Sequence, residues 1–202
     1  MEDRASAAGA ASQSPVREVD CLIVGGGAAG LSAAVNLARM RRSVILIDSR
    51  DRFIWGHRIY NYLGFPDGIS AVEIRRLGWR QAARFGTQLL LGQVSSAARE
   101  DDRFRLTIDR LPESGLFARP GGPPPAVPRD PEMARLFADV PAGGPLQVIA
   151  RTVVLATGVI GHFPDFPGRD ECVGRSLFWC IHCDGHESID KVVGVVGHDE
   201  EA

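Results

Sequence analysis

Cys180 and Cys183 stand in C-x-x-C spacing within Phe178-Trp179-Cys180-Ile181-His182-Cys183-Asp184-Gly185. Two sulfurs so placed can close a small disulfide or open to a dithiol, and one thiolate of such a pair is commonly stabilised by its neighbour and a helix N-terminus. Asp184 follows directly, a carboxyl able to deliver or accept the proton that each redox step needs. Three other chemistries compete. A purely structural disulfide is uncommon in a reducing compartment. Haem attachment needs His directly after the second Cys, a place Asp184 occupies. Metal binding is the stronger rival, because His182 and His186 add ligand-type side chains, although no second C-x-x-C accompanies them. Alone, the motif leaves redox and metal chemistry open.

The bulk properties narrow the class. The chain has 202 residues, 45% hydrophobic and 24% charged, which suits one soluble globular domain or one and a fraction. A formal net charge of -2 gives no basic footprint for nucleic acid, and no apolar run approaches a membrane span. Four cysteines are too few for a disulfide scaffold, which favours a reducing, cytoplasmic setting. Residues 1–17 are rich in Ala and Ser, carry Glu2 and Asp3 and lack an apolar stretch, so they read as a disordered tail rather than a secretory leader.

The elements that must position the chemistry begin at Val19. Cys21-Leu22-Ile23-Val24 is an apolar run suited to a strand buried on both faces, with Cys21 a small buried hydrophobe. It leads into Gly25-Gly26-Gly27-Ala28-Ala29-Gly30, a G-x-G-x-x-G match. Gly25 permits the tight turn, Gly27 lets a pyrophosphate approach the backbone, and Gly30 lets the next helix pack closely. That helix runs to about Met40. Its inward stripe is Leu31, Ala34, Val35 and Ala38, its outward face carries Asn36 and Arg39, and its N-terminus would hold phosphates. A second strand, Val44 to Ile47, ends at Asp48, about 20 residues past the glycines, where an acid accepts hydrogen bonds from a ribose hydroxyl. Strand, glycines, helix, strand and acid in that order predict a dinucleotide site.

The segment Trp55 to Pro66 reads as a loop, and Arg58 and Asn61 in it could hydrogen-bond a ring or a phosphate. Ser70 to Glu73 forms a capping box for a helix with Ile74, Leu77 and Phe85 as its buried stripe. Leu89 to Leu91 predicts a strand, and Phe104, Leu106 and Ile108 alternate with polar residues as in a half-exposed antiparallel strand. Residues 111–145, with Pro120 to Pro125 at their centre, predict a mostly flexible insert with one helical turn near Met133 to Phe137. Val153-Val154-Leu155 is a further buried strand ending in Ala156-Thr157-Gly158, a small-residue turn that permits close backbone approach. His162 to Gly168 reads as a stiff hinge, and Val192 to Val196 as another buried parallel strand.

With these motifs in order, the chain resembles the low-molecular-weight thioredoxin reductase group of FAD-dependent pyridine nucleotide-disulfide oxidoreductases. The resemblance rests on Val24 to Gly30, on Asn61-Tyr62-Leu63-Gly64-Phe65-Pro66 with Gly68-Ile69, on Ala156-Thr157-Gly158, and on Cys180 to Gly185. It implies an α/β fold: a Rossmann-type FAD-binding domain with an antiparallel strand excursion (residues 18–162), then a hinge, the redox segment and the start of a second Rossmann NAD(P)-type domain (163–202). It further implies that Gly25, Gly27, Ala28, Ala29, Gly30 and Asp48 bind the ADP half of FAD, with Arg58, Asn61, Thr157 and Gly158 near the flavin or its phosphates. Cys183 would be the thiol nearer the flavin, Cys180 the one exchanging with substrate, and Asp184 the proton carrier. The partner would be a thioredoxin-like protein or a small dithiol or disulfide, and the assembly a homodimer.

Two departures bear on that implication. The second Gly-rich turn carries Asp199 where its middle glycine belongs, and a carboxylate there opposes NADPH binding. Trp55 to Arg58 replaces the Gly-Gly-Gln that many members place against the flavin. Both features resemble members that oxidise dithiols with oxygen or draw electrons from a donor other than NADPH. The chain also stops where the second unit's helix should start, so the expectation is either a truncated product or fragment, or a partner that supplies what is missing, with low stability for the chain alone. The leading reading is a FAD-dependent thiol–disulfide oxidoreductase. The alternatives are a dithiol oxidase of the same fold, or a truncated, non-catalytic remnant that binds nucleotide, or metal through Cys180, Cys183 and His186.

Overall fold

A computed structural model describes residues 16–49, 58–111, 135–158, 165–172, 176–178 and 180–196. Outside them lie residues 1–15 of the expected tail, Trp55 and His57, the proline-rich centre of the insert, the first part of the hinge, and the turn carrying Asp199. The chain divides into two compact units, residues 1–52 with 75–158, and residues 53–74 with 159–202.

The first unit is built on one seven-stranded sheet. In chain order its elements are β1 (Val16–Val24), α1 (Ala28–Arg39), β2 (Val44–Asp48), β5 (Gln88–Leu91), β6 (Gln93–Glu100), β7 (Arg103–Asp109), β8 (Phe137–Asp139) and β9 (Leu146–Leu155). Between β2 and β5 the chain forms the short strands β3 (Arg58–Ile59) and β4 (Ile69–Ser70) and the helix α2 (Ala71–Arg84). The strand order is β6-β7-β9-β1-β2-β5-β8. Strands β9, β1, β2, β5 and β8 are mutually parallel, and β7 and β6 add antiparallel at one end. This is the expected Rossmann-like core with its antiparallel excursion.

Strand β1 lies centrally, with Leu22 paired to Ile45 on one side and to Val153 on the other. All five residues of β2 are buried, as an apolar run covered on both faces requires. Leu22, Ile45, Ile47, Leu90, Leu106, Ile108, Leu146 and Val148 form one core cluster, each large side chain contributing about 1.5–3 kcal/mol by leaving water. At the start of β2, Asp20 and Ser43 clamp the parallel pair. The Asp20 N–H donates to Ser43 Oγ at 2.8 Å, and the Ser43 N–H and hydroxyl both donate to Asp20 Oδ2 at 2.9 Å. Those bonds, the backbone one foremost, hold the Asp20 carboxyl below its ordinary pKa.

Helix α1 buries Gly30, Leu31, Ala34, Val35 and Ala38, the expected stripe. Helix α2 is capped as expected, Ser70 Oγ accepting from the N–H groups of Val72 and Glu73. Its stripe, however, differs: Trp79 and Ala82 are buried, whereas Leu77 and Phe85 are exposed. Gly78 decides this rotation. A Cβ there would lie 2.8 Å from Leu31 Cδ1, so the helix meets α1 on its glycine face and turns Trp79 into the core.

Three further expectations are corrected. Strand β1 begins at Val16, which pairs with Gln147, so Val16 and Arg17 belong to the sheet and not to the tail. The last part of the insert is ordered: Phe137 to Asp139 pair with Leu89 to Leu91, and Phe137 and Val140 are buried. Proline and glycine forbid structure only where they stand, and beyond Pro131 the chain has apolar residues enough to join the sheet edge. Val192 to Val196 is not a strand. Val192 is 105% exposed and Val196 79%, because no strand among the described residues pairs with this run, and β structure requires a ladder partner.

Candidate functional site

In the first unit the glycine turn is built around the carboxyl end of β1. The Gly25 N–H donates to the Ile47 carbonyl at 2.9 Å and the Ala156 N–H to the Val24 carbonyl at 2.9 Å, so the ends of β2, β1 and β9 converge on one spot. Gly25 has φ +112°, and a Cβ on it would overlap the Ala156 carbonyl. A Cβ on Gly30 would overlap the Gly25 carbonyl. Both positions therefore need glycine for close backbone approach. Gly27 differs: it is the N-cap of α1, and a Cβ there would meet nothing within 4 Å.

The N-terminus of α1 is open to an anion. Gly27 supplies no side-chain cap, no acidic residue lies in the first turn, and Ala28 and Ala29 are exposed. The opening N–H groups of a helix lack intrahelical partners and carry its positive pole. The residues present thus fit a dinucleotide pyrophosphate: a glycine-lined backbone surface, an uncapped helix start and no carboxylate in the first turn of α1. Thr157 and Gly158 follow Ala156 on the same rim and are exposed.

Asp48, expected at the ribose, closes the other side. It is buried and lies so close to Gly26 that a Cβ on that glycine would overlap the carboxylate. The middle glycine of the triplet, to which the sequence reading assigned no role, is thus required for Asp48 to reach the turn. Arg75 Nη2 donates to Asp48 Oδ2 at 2.5 Å, and the guanidinium lies 5.2 Å from the Trp79 ring centroid. Sequence reasoning passed over Arg75. Its signal was available, since Arg75 comes early in α2, on the end where the helix dipole disfavours a cation.

The second unit holds the cysteines. Cys180 and Cys183 form a disulfide with a Cα–Cα distance of 5.3 Å, within the range such bridges need. Cys180 is the N-cap of α4 (Ile181–Asp184), which follows the short helix α3 (Arg169–Cys172) and runs into a 3-10 helix over Gly185–Ser188. The Cys183 N–H donates to the Cys180 carbonyl at 3.1 Å, the turn that brings the two sulfurs together. Cys183 is exposed and Cys180 half-buried. His186 packs edge-on against Tyr60 at 5.2 Å between ring centroids. Arg58 donates from Nε to the Asp67 carbonyl at 2.9 Å, and Asn61 is exposed in the adjoining bend. The side chains of His182 and Asp184 are outside the described residues. With both sulfurs bonded to each other, the metal-binding alternative loses two of its three proposed ligands in this state, and among the described residues no cluster of three His, Cys, Asp or Glu gathers.

A mostly parallel sheet with a glycine turn at the ends of β1 and β9 and a C-x-x-C disulfide are the two features that the resemblance implies. The chain belongs to the pyridine nucleotide-disulphide oxidoreductase family, whose pattern it matches over residues 19–197. It is 27% identical to a thioredoxin reductase of Treponema pallidum over 92% of this chain and 50% of that protein. It is 30% identical to the thioredoxin reductase AclD of Aspergillus oryzae, over 83% of this chain and 44% of that one. Among solved structures it resembles an oxidoreductase from Agrobacterium tumefaciens, with a TM-score of 0.60 at 27% identity, covering 84% of this chain and 46% of that one. The chain thus spans half or less of the length of these relatives. No helix among the described residues is long and apolar enough to cross a membrane.

Proposed function

We propose that this chain carries the FAD-binding and redox-disulfide parts of a thioredoxin reductase-like thiol–disulfide oxidoreductase. The observation that carries the reading is the Cys180–Cys183 disulfide on a chain whose glycine turn, uncapped α1 and Asp48 suit a dinucleotide. Gly25, Gly27, Ala28, Ala29 and Gly30 would hold the pyrophosphate, Asp48 the ribose, and Thr157 and Gly158 the phosphates from the β9 side. Arg58 and Asn61 are assigned to the flavin end. A bound flavin supplies a two-electron redox centre.

The protein's own part is the disulfide. Opening the Cys180–Cys183 bond takes up two electrons and yields two thiolates, or two thiols once protons arrive. Asp184, next to Cys183 in the sequence, is assigned that proton transfer. Cys180 then attacks a disulfide in the partner, giving a mixed disulfide that Cys183 resolves, so the partner leaves reduced and the Cys180–Cys183 bond re-forms. The partner class is a thioredoxin-like protein or a small disulfide.

An anaerobic absorbance spectrum of the 202-residue chain, before and after dithiothreitol, tests this. Flavin bands that bleach with the dithiol, and persist in Cys183→Ser, are expected. A colourless chain that takes up no added FAD overturns the reading. Bleaching followed by stoichiometric oxygen consumption would instead identify a dithiol oxidase.

A further inference from the structure

We propose that Arg75 is the positioning residue that aims the Asp48 carboxylate at the adenosine ribose, an inference that rests on the FAD-binding reading above. The carboxylate sits against the backbone of Gly26, where its orientation decides which lone pairs face the turn. Arg75 fixes that orientation through the 2.5 Å bond from Nη2 to Oδ2. The pair is largely withdrawn from water, the two side chains being 13% and 8% exposed.

Arg75 is itself fixed. Its guanidinium lies over Trp79, which is fully buried and meets Phe137 edge-on at 5.3 Å between centroids. Phe137 of β8 thus backs the Trp79 ring on which the guanidinium lies. A planar fork suits this better than a flexible ammonium, because it can stack on an indole and direct an N–H at the same time. A cation early in α2 opposes the helix dipole, and a buried carboxylate without a partner is costly. Each charge thus offsets the other's penalty. Loss of Arg75 would remove the Nη2–Oδ2 contact that helps hold the carboxylate toward the ribose, lowering affinity for a ribose hydroxyl in particular, and not for the dinucleotide as a whole.

The test compares wild type, Arg75→Gln and Arg75→Lys in the 202-residue chain, with FAD affinity read from flavin fluorescence quenching and displacement by ADP or 2′-deoxy-ADP. Wild type should prefer ADP by about tenfold or more, the span of one charge-assisted hydrogen bond. In Arg75→Gln that preference should fall to about twofold, and Arg75→Lys should restore part of it, since the charge returns without the fork. A structural role alone would weaken both nucleotides equally and leave the ratio unchanged. An unchanged preference in Arg75→Gln overturns the proposal, as does an unchanged preference in Arg75→Lys should the Gln variant not fold. Wild type that binds neither FAD nor ADP overturns the FAD reading and this inference with it. Wild type that binds both without preferring ADP overturns this inference alone.

Discussion

Gly25 and Gly27 lie in one turn, yet alanine should have opposite consequences at the two. Gly25 has φ +112°, a conformation that costs a non-glycine residue about 1–3 kcal/mol. The added methyl would also overlap the Ala156 carbonyl. That carbonyl cannot give way easily, because the Ala156 N–H is bonded to Val24 at 2.9 Å, and forced shifts of this kind cost about 1–3 kcal/mol. Gly25→Ala should therefore lose about 2–6 kcal/mol. Gly27 has φ -79° and ψ -175° with open space beside it. Alanine is a weaker N-cap than glycine by up to about 1 kcal/mol, and a stiffer unfolded chain offsets about 0.4–1 kcal/mol of that. Gly27→Ala should thus melt within about 1 kcal/mol of wild type. Urea unfolding without ligand separates the two: at a common slope of about 1–3 kcal/mol/M, Gly25→Ala should drop the midpoint by roughly 0.7 M or more, at least about twice any shift in Gly27→Ala. Fluorescence titration should then show Gly27→Ala binding FAD at least about tenfold more weakly, since its methyl would stand where the proposed pyrophosphate approaches. Wild-type stability in Gly25→Ala would refute the packing argument. Wild-type FAD affinity in Gly27→Ala would refute the placement of the pyrophosphate.

Other predictions test the scaffold. Trp79→Ala removes a buried ring stacked edge-on against Phe137 and should cost about 3–5 kcal/mol in urea unfolding; a loss below about 1 kcal/mol would contradict the placement of α2. Ser70→Ala removes the acceptor for the Val72 and Glu73 N–H groups and should cost about 0.5–2 kcal/mol, which Ser70→Asp should largely recover. The Asp20 carboxyl is held below its ordinary pKa by the Ser43 N–H and hydroxyl, so its stabilising effect is present above the unfolded value of about 3.9. That effect fades as pH falls through the lower folded pKa. Wild type should accordingly be more stable than Asp20→Asn at neutral pH, the gap closing on acidification below about pH 4. A gap that stays constant down to pH 2 would sink the assignment.

Much of the geometry of the candidate dinucleotide site was legible in the chain because its determinants are local. The turn between β1 and α1 needs glycine at Gly25 and Gly30 for backbone reasons, and α1 shows its buried face through spacing alone. The disulfide was legible too, since one helical turn is enough to join Cys180 to Cys183. Less local features escaped. Strand β6 is polar and exposed along most of its length, and its pairing to β7 supplies a pattern its own residues do not carry. Strand β8 hid behind the prolines of the insert. The apolar run Val192 to Val196 showed the reverse error, having the composition of a buried strand but no ladder partner among the described residues.

The sequence by itself determined the order of motifs, the family and which two cysteines can pair, because each follows from residue type and short spacing. Only the tertiary structure decided which face α2 buries, why the central glycine of the triplet must be glycine, and that Arg75 pairs with Asp48. Those outcomes depend on atoms contributed by segments far apart in the chain: Gly78 against Leu31, Gly26 against Asp48, Trp79 against Phe137. Close packing turns such encounters into constraints, and no periodicity along the chain announces them.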